Sequence, residues 1–84
     1  MKELISVTEA TYHSGHRLRL QFNDGGEKTV DSTPWLRGEV FKPLRNVKVF
    51  KTFFIAGGTV CWPNGADVAP ETLHEAPDVS ATAA

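Results

Sequence analysis

The sequence has few of the features that stabilise a small protein or target it to a compartment. It has one cysteine, Cys61, so an internal disulfide cannot form. It has no apolar run near the ~18 residues that a membrane-spanning helix needs. Its first residues enter a strand-like pattern without the apolar core and small-residue cleavage site of a signal peptide. These absences predict a cytoplasmic protein with no membrane association and a reduced Cys61.

The short chain also limits how much core it can build. Its 84 residues suit one domain, and a domain of this size buries only about 60% of its unfolded surface. Such domains usually depend on disulfides, a metal or a partner chain. The sequence has no cluster of Cys and His with structural-zinc spacing. We therefore expect a homodimer, or pairing with another small protein.

The net charge of −1 conceals an uneven distribution along the chain. Residues 40–66 contain basic side chains and no carboxylate, whereas residues 67–84 contain carboxylates and no Lys or Arg. Basic groups interleaved with aromatics are typical of nucleic-acid binders, although the chain as a whole is not basic. Solvation, or pairing with the acidic C-terminal segment, is the simpler interpretation. The basic side chains are Lys42, Arg45, Lys48 and Lys51.

Apolar alternation predicts three strands in the first third of the chain. The clearest covers residues 17–22, where every second residue from Leu18 is large and apolar. Strands over residues 5–12 and 28–30 flank it, and Gly-containing turns make the neighbours antiparallel. Pro34 then suits the first position of a short helix that Gly38 ends.

The second half of the chain is predicted as a hairpin followed by a helix. Residues 47–55 are β-branched and aromatic, which favours a turn passing into a strand over residues 51–55, with a short helix across residues 46–51 as the alternative. A returning strand over residues 59–62 and a helix over residues 71–75 follow. The predicted fold is α+β, with a small antiparallel sheet of four to five strands and one or two short helices. Residues 1–75 form the single domain and residues 76–84 a disordered C-terminal tail.

The large apolar residues on the predicted inner faces give a candidate core. Trp62 shares its strand face with Val60, which favours a packing role over a recognition loop at residues 62–65. The candidate core consists of Leu18, Leu20, Phe22, Val30, Trp35, Leu44, Phe50, Val60, Trp62 and Leu73.

Several short motifs occur together in an order that resembles a known family. They include Leu-x-Leu-x-Phe-x-Asp-Gly from Leu18, Gly-x-x-Phe-x-Pro-Leu from Gly38, and Trp-Pro-Asn-Gly-Ala-Asp from Trp62. Together they resemble the bacterial domain of unknown function 2442 family, over residues 5–73. The resemblance implies a small α+β fold of antiparallel strands and brings no known activity. Some relatives resemble fusions to a helix-turn-helix domain, and others resemble one half of a toxin–antitoxin pair.

The residues that could carry chemistry have simpler structural roles. His13 and His16 flank a turn and lack an obvious third metal ligand, so we expect both to be solvent-exposed turn residues. Cys61 lies between apolar residues on a strand and has no neighbouring base, which favours a buried packing role. Asp24, Asp31 and Asp67 precede turns or helix starts, where short acids bind free backbone N–H groups. We expect no catalytic, cofactor or metal residue, and no enzyme.

The function predicted from the sequence is a non-enzymatic protein-interaction module. Its specific form is the antitoxin-like half of a small bacterial two-protein pair. Phe53 and Phe54 are strand neighbours that point to opposite faces, so one ring is left for a partner. The alternative is a nucleic-acid-associated regulatory module that uses the basic residues between Lys42 and Lys51.

Overall fold

The first three strands form one antiparallel sheet in chain order. β1 (Val7–Ser14), β2 (Arg17–Phe22) and β3 (Glu27–Asp31) lie side by side, with β2 in the centre. The structure is a computed structural model that describes residues 4–79. The apolar residues of β2 are buried and its polar residues face outward or lie at intermediate depth. The alternation in the sequence therefore predicts the correct strand and the correct inner face.

A second, smaller sheet consists of a tight hairpin. β4 (Phe54–Ala56) pairs antiparallel with β5 (Thr59–Cys61). Gly57 and Gly58 connect them, both at positive φ (60° and 77°), which suits a two-residue hairpin turn. The N–H of Val7 donates to the carbonyl of Gly58 at 2.7 Å and ties this hairpin to β1.

Short helical turns occupy the segment between the two sheets. A 3₁₀ turn (Thr33–Trp35) precedes α1 (Gly38–Phe41), and a second 3₁₀ turn (Lys42–Arg45) precedes α2 (Val47–Phe50). The strand expected over residues 51–55 is therefore wrong at its start. The alternative, a short helix in residues 46–51, is the conformation found, and β4 begins only at Phe54.

The last helix and the residues after it pack along the first sheet. α3 is Pro70–Glu75. Beyond it, the N–H of Val79 donates to the carbonyl of Thr29 at 2.8 Å, and the Asp78 carboxylate accepts from the N–H of Thr29 at 3.1 Å. These bonds attach residues 76–79, the first part of the expected tail, to the outer edge of β3. Residues 80–84 of the predicted tail lie outside the described residues.

The core joins both sheets and the helical segment. Nine of the ten predicted core residues are buried, and Trp35 is half-buried against them. The indole N–H of Trp62 donates to the carbonyl of Phe50 at 2.8 Å, which satisfies its one polar atom inside the core. Among the described residues, the prediction missed four buried apolar residues, namely Val7, Leu36, Ala66 and Val68.

The architecture confirms the α+β class with antiparallel strands. In the part of the chain that the structure describes, five strands are divided into sheets of three and two, with short helices between and after them. Among residues 4–79, none of the helices has the length and apolar character required to cross a membrane.

Candidate interaction surface

The basic segment, residues 42–51, has its charges outside and its apolar residues inside. Leu44 and Phe50 are buried, Phe41 and Val47 are half-buried, and the basic residues beside them are all exposed. The spacing of three residues matches the period of the helical turns, so residues three apart share a face. The exposed basic residues are Lys42, Arg45, Lys48 and Lys51.

Two of the four basic side chains are held by the rest of the fold. The Nε of Arg45 donates to the carbonyl of Leu36 at 2.9 Å. The Nζ of Lys51 lies 4.9 Å from the ring centroid of Tyr12, within cation–π range. Lys42 and Lys48 form no hydrogen bond or ion pair within residues 4–79 through their side chains. They are therefore the basic groups most available to an anionic partner.

The ring of His16 contacts the backbone of the basic segment, and it is not exposed on a turn as expected. Its ring is half-buried, and Nε2 lies 3.1 Å from the carbonyl of Leu44 and 2.9 Å from that of Arg45. Because both partners only accept, Nε2 carries the proton. The ring also packs edge-on against Phe50, with centroids 5.0 Å apart. His13 is exposed as expected.

The ion pairs of the described chain lie away from the basic segment. Arg19 pairs with Glu27 at 3.0 Å, Arg17 lies 4.0 Å from Asp31, and His74 contacts Asp24 at 2.8 Å. The side chains of Lys42 and Lys48 thus face solvent.

Two of the three acidic residues considered for chemistry, Asp24 and Asp31, form local structural hydrogen bonds. The Asp24 carboxylate accepts from the N–H of Gly26 at 2.8 Å, and this bond, with the contact to His74, lowers the pKa of Asp24. Burial alone would raise the pKa of Asp31, but bonds from the hydroxyl and N–H of Thr33 outweigh it and lower that pKa. Both carboxylates are thereby held in the charged form that their turns need.

Reactive side chains do not converge on a centre in the part of the chain that the structure describes. Cys61 is half-buried, not fully buried as expected, and its thiol lies 3.6 Å from the carbonyl of Ala56. Residues 4–79 contain no group of three or more His, Cys, Asp or Glu placed to hold a metal ion.

β4 exposes apolar side chains on both of its faces. Phe54 is 45% exposed and Ile55, which points to the opposite face, is 38% exposed. Phe53 precedes the strand and is half-buried against the core. We name Phe54 and Ile55 the β4 patch. The sequence analysis identified Phe54 as an interaction residue but did not identify Ile55. The Gly57–Gly58 turn signal could have placed Ile55 on the same exposed strand.

The backbone of β4 also has an open edge. In the hairpin, Ile55 lies opposite Val60. The carbonyl of Val60 accepts from the N–H of Val68 at 3.3 Å, on the side of β5 away from β4. Along an antiparallel pair of strands, residues alternate between directing their N–H and C=O groups toward the partner strand and directing them away from it. Ile55 must therefore direct its N–H and C=O away from β5, and neither group is bonded within residues 4–79.

An open strand edge flanked by exposed apolar side chains is a surface that other strands can join. Native proteins usually cover or charge such edges, because unpaired N–H and C=O groups template pairing with another chain. β4 carries no charged residue and no proline. The geometry therefore provides main-chain hydrogen bonds for affinity and two side chains for specificity.

Comparison with known proteins identifies the family. A family model described as a protein of unknown function (DUF2442) matches residues 7–76, from the first residue of β1 to the residue after α3. No curated protein and no solved structure matches the chain. The family match covers most of the chain and agrees with the resemblance seen in its motifs. The chain therefore belongs to this family of proteins of unknown function.

Proposed function

We propose that this chain is a non-enzymatic protein-interaction module that binds its partner through β4. The observation that carries the proposal is the open edge at Ile55, where an unpaired N–H and C=O lie between exposed apolar side chains. Strand addition at such an edge satisfies the backbone groups and covers the β4 patch in one step. The small core gives the chain a further reason to associate.

A second copy of the chain is the partner that β4 fits best. A two-fold axis beside the edge places two β4 strands antiparallel, so each Ile55 N–H meets the other's C=O. The strand carries no charge, so self-pairing brings no like charges together. Ile55 of each copy then lies opposite Ile55 of the other, and Phe54 lies opposite Ala56.

The same edge would serve a different small protein. The family resemblance implies an antitoxin-like half of a two-protein pair, and we propose that specific form if the chain is monomeric alone. We further propose a cytoplasmic location, where Cys61 stays reduced.

Sedimentation equilibrium from micromolar to millimolar protein tests the association. We expect a monomer–dimer equilibrium that Phe54→Ser shifts toward monomer by at least tenfold in Kd. Val40→Ser is the matched control, because Val40 is 51% exposed and lies in α1 outside the β4 patch. It should leave the Kd unchanged.

If the chain does not dimerise, affinity purification provides the second test of the proposal. If the chain is monomeric throughout, affinity purification from the native cell should recover a small protein with the original sequence and not with Phe54→Ser. A monomer for which the two baits recover the same proteins would overturn the proposal.

A nucleic-acid-associated regulatory module is the second candidate. It is supported by the outward projection of Lys42 and Lys48, which have no partner within residues 4–79. Phosphate contacts release counterions, so binding should fall steeply with salt. Reversing Lys48 and Lys51 to Glu should weaken retention of DNA or RNA, whereas Arg37→Glu, an exposed site outside the basic segment, should not. Absence of retardation at low salt would remove this candidate.

A further inference from the structure

A cavity of about 410 Å³ lies between the first 3₁₀ turn and the C-terminal segment of the described chain. One wall is formed by Pro34 and Trp35. The opposite wall is formed by Glu75 at the end of α3 and by Pro77 and Val79 after it. Its volume falls in the range of about 300–1,000 Å³ that is typical of small-molecule sites.

Hydrogen bonds to β3 hold the C-terminal wall in place. Val79 and Asp78 both bond to the backbone of Thr29, at 2.8 Å and 3.1 Å. The Nζ of Lys28 donates to the carbonyl of Ala76 at 2.8 Å and also to the carbonyl of His74. The C-terminal wall is therefore attached to β3 at both of its ends, so the fold fixes the position of the cavity walls.

The lining combines an aromatic ring with negative charge. The half-buried Trp35 supplies an indole ring, and Pro34, Pro77 and Val79 supply further apolar surface. Asp31 and Glu75 contribute two carboxylates, and no Lys or Arg of residues 4–79 lines the cavity. Asp31 is already bonded to Thr33 and lies 4.0 Å from Arg17, whereas Glu75 forms no side-chain bond within the described residues.

This combination is complementary to an organic cation. A guanidinium or ammonium group is attracted to an indole face and donates a charge-assisted hydrogen bond to a carboxylate. Its aliphatic stem covers the apolar wall. An anionic ligand would meet the like charge of Glu75, and a purely apolar one would desolvate that carboxylate without pairing it.

We propose that this cavity binds a guanidinium or alkylammonium group, with Trp35 and Glu75 as its principal contacts. The group is either the side chain of an Arg or Lys in a peptide or a free small amine. The site is separate from β4, and it does not depend on the function proposed above.

NMR of the two indole N–H groups tests the proposal with a built-in control. Trp35 lines the cavity, whereas the indole of Trp62 is buried and bonded to Phe50. Titration with the capped tripeptide Ac-Ala-Arg-Ala-NH₂ should move the Trp35 signal saturably and leave that of Trp62 in place. The citrulline tripeptide, which has the same shape without the charge, should bind at least tenfold more weakly.

A carboxylate variant assigns the binding to the cavity. Glu75→Gln should weaken the tripeptide by about two- to fivefold, the range expected for one exposed charged contact. Glu71→Gln removes the same charge from the exposed surface of the same helix, outside the cavity, and should have no effect. Both sites are exposed, so neither change threatens folding.

Agmatine, a free amine that carries a guanidinium, distinguishes the two sources of the ligand. Binding of the tripeptide alone identifies a peptide side chain, and tighter binding of agmatine identifies a free amine. The proposal is overturned if neither probe moves Trp35 saturably at millimolar concentration. Equal binding of the arginine and citrulline peptides, or equal effects of the two Glu→Gln changes, would overturn it as well.

Discussion

At the scale of single residues, Leu20 lies at the centre of the core. It lies in the middle strand of the larger sheet and is fully buried. Its neighbours on the same face, Leu18 and Phe22, are buried too. Because β2 is flanked on both sides, a space left at Leu20 cannot be filled by a small shift of an outer strand.

We expect Leu20→Ala to lower the free energy of unfolding by about 2–5 kcal/mol, from lost burial and the cavity left behind. That is a large part of the stability of a domain this small. Urea unfolding gives the value. Val40→Ala, at an exposed site, is the control and should change stability by less than about 0.5 kcal/mol. Equal stability of the two variants would show that Leu20 is not in the core.

Asp24 links stability to pH through two neighbours that favour its charged form. The N–H of Gly26 and the side chain of His74 lower its pKa below the ordinary value of 3.8. A carboxyl whose pKa is lower in the folded state contributes stability above the unfolded value. That contribution is lost as the pH falls from about 3.8 through the folded pKa.

NMR titration of the Asp24 carboxyl carbon should therefore give a pKa below 3.8 in the native protein. His74→Ala should raise that pKa part of the way back, because the bond from Gly26 remains. His13→Ala is the matched control, since His13 contacts Ser14 and not Asp24. A native pKa at or above the ordinary value, or equal effects of the two histidine changes, would contradict the assignment.

Sequence reasoning works at single residues where periodicity decides the outcome. The alternation from Leu18 to Phe22 correctly identifies a buried face, and the parity of Trp62 correctly assigns it to the core. It fails where distant chain segments meet. His74 and Asp24 are 50 residues apart, and no local pattern predicts their contact.

α2 shows at the element scale how composition can mislead. Val47 and Val49 favour a strand by propensity, yet the segment is helical. Two local features oppose that propensity. The apolar residues recur every third position, which suits a helical turn, and the side chain of Asn46 accepts from the N–H of Lys48 at 2.9 Å as an N-cap.

Removal of this cap should have a measurable cost. We expect Asn46→Ala to lower the free energy of unfolding by about 0.5–2 kcal/mol, the range for loss of an N-cap. Denaturant unfolding measures it. Lys48→Ala keeps the cap and replaces an exposed side chain with a good helix former, so it should cost less than about 0.5 kcal/mol. If both variants have the same stability, the cap is not what holds α2.

The residues after α3 illustrate a second limit of prediction. Their composition is small and polar, which is typical of a tail. The structure attaches residues 76–79 to β3 through backbone bonds and the Asp78 carboxylate. Backbone hydrogen bonds do not depend on side-chain identity, so the sequence pattern does not predict them. The cavity beside Trp35 was missed for the same reason, since it depends on where this segment lies.

At the scale of the whole molecule, the outer edges of β3 and β4 are protected to different degrees. The larger sheet has its β3 edge covered by the C-terminal segment. The smaller sheet presents β4 with an uncharged, apolar and open edge. An edge of this kind favours pairing with another chain, and we propose it as the functional surface of the molecule.

Hydrogen exchange at the Ile55 N–H tests that claim most directly. In the monomer this amide has no partner within residues 4–79, so it should exchange at close to the rate of a free peptide in dilute solution. Pairing through β4 predicts slower exchange as the protein is concentrated, with no change at the amide of Leu20 in β2. An Ile55 amide that stays unprotected at high concentration, and in complex with any small protein recovered from cells, would contradict the account.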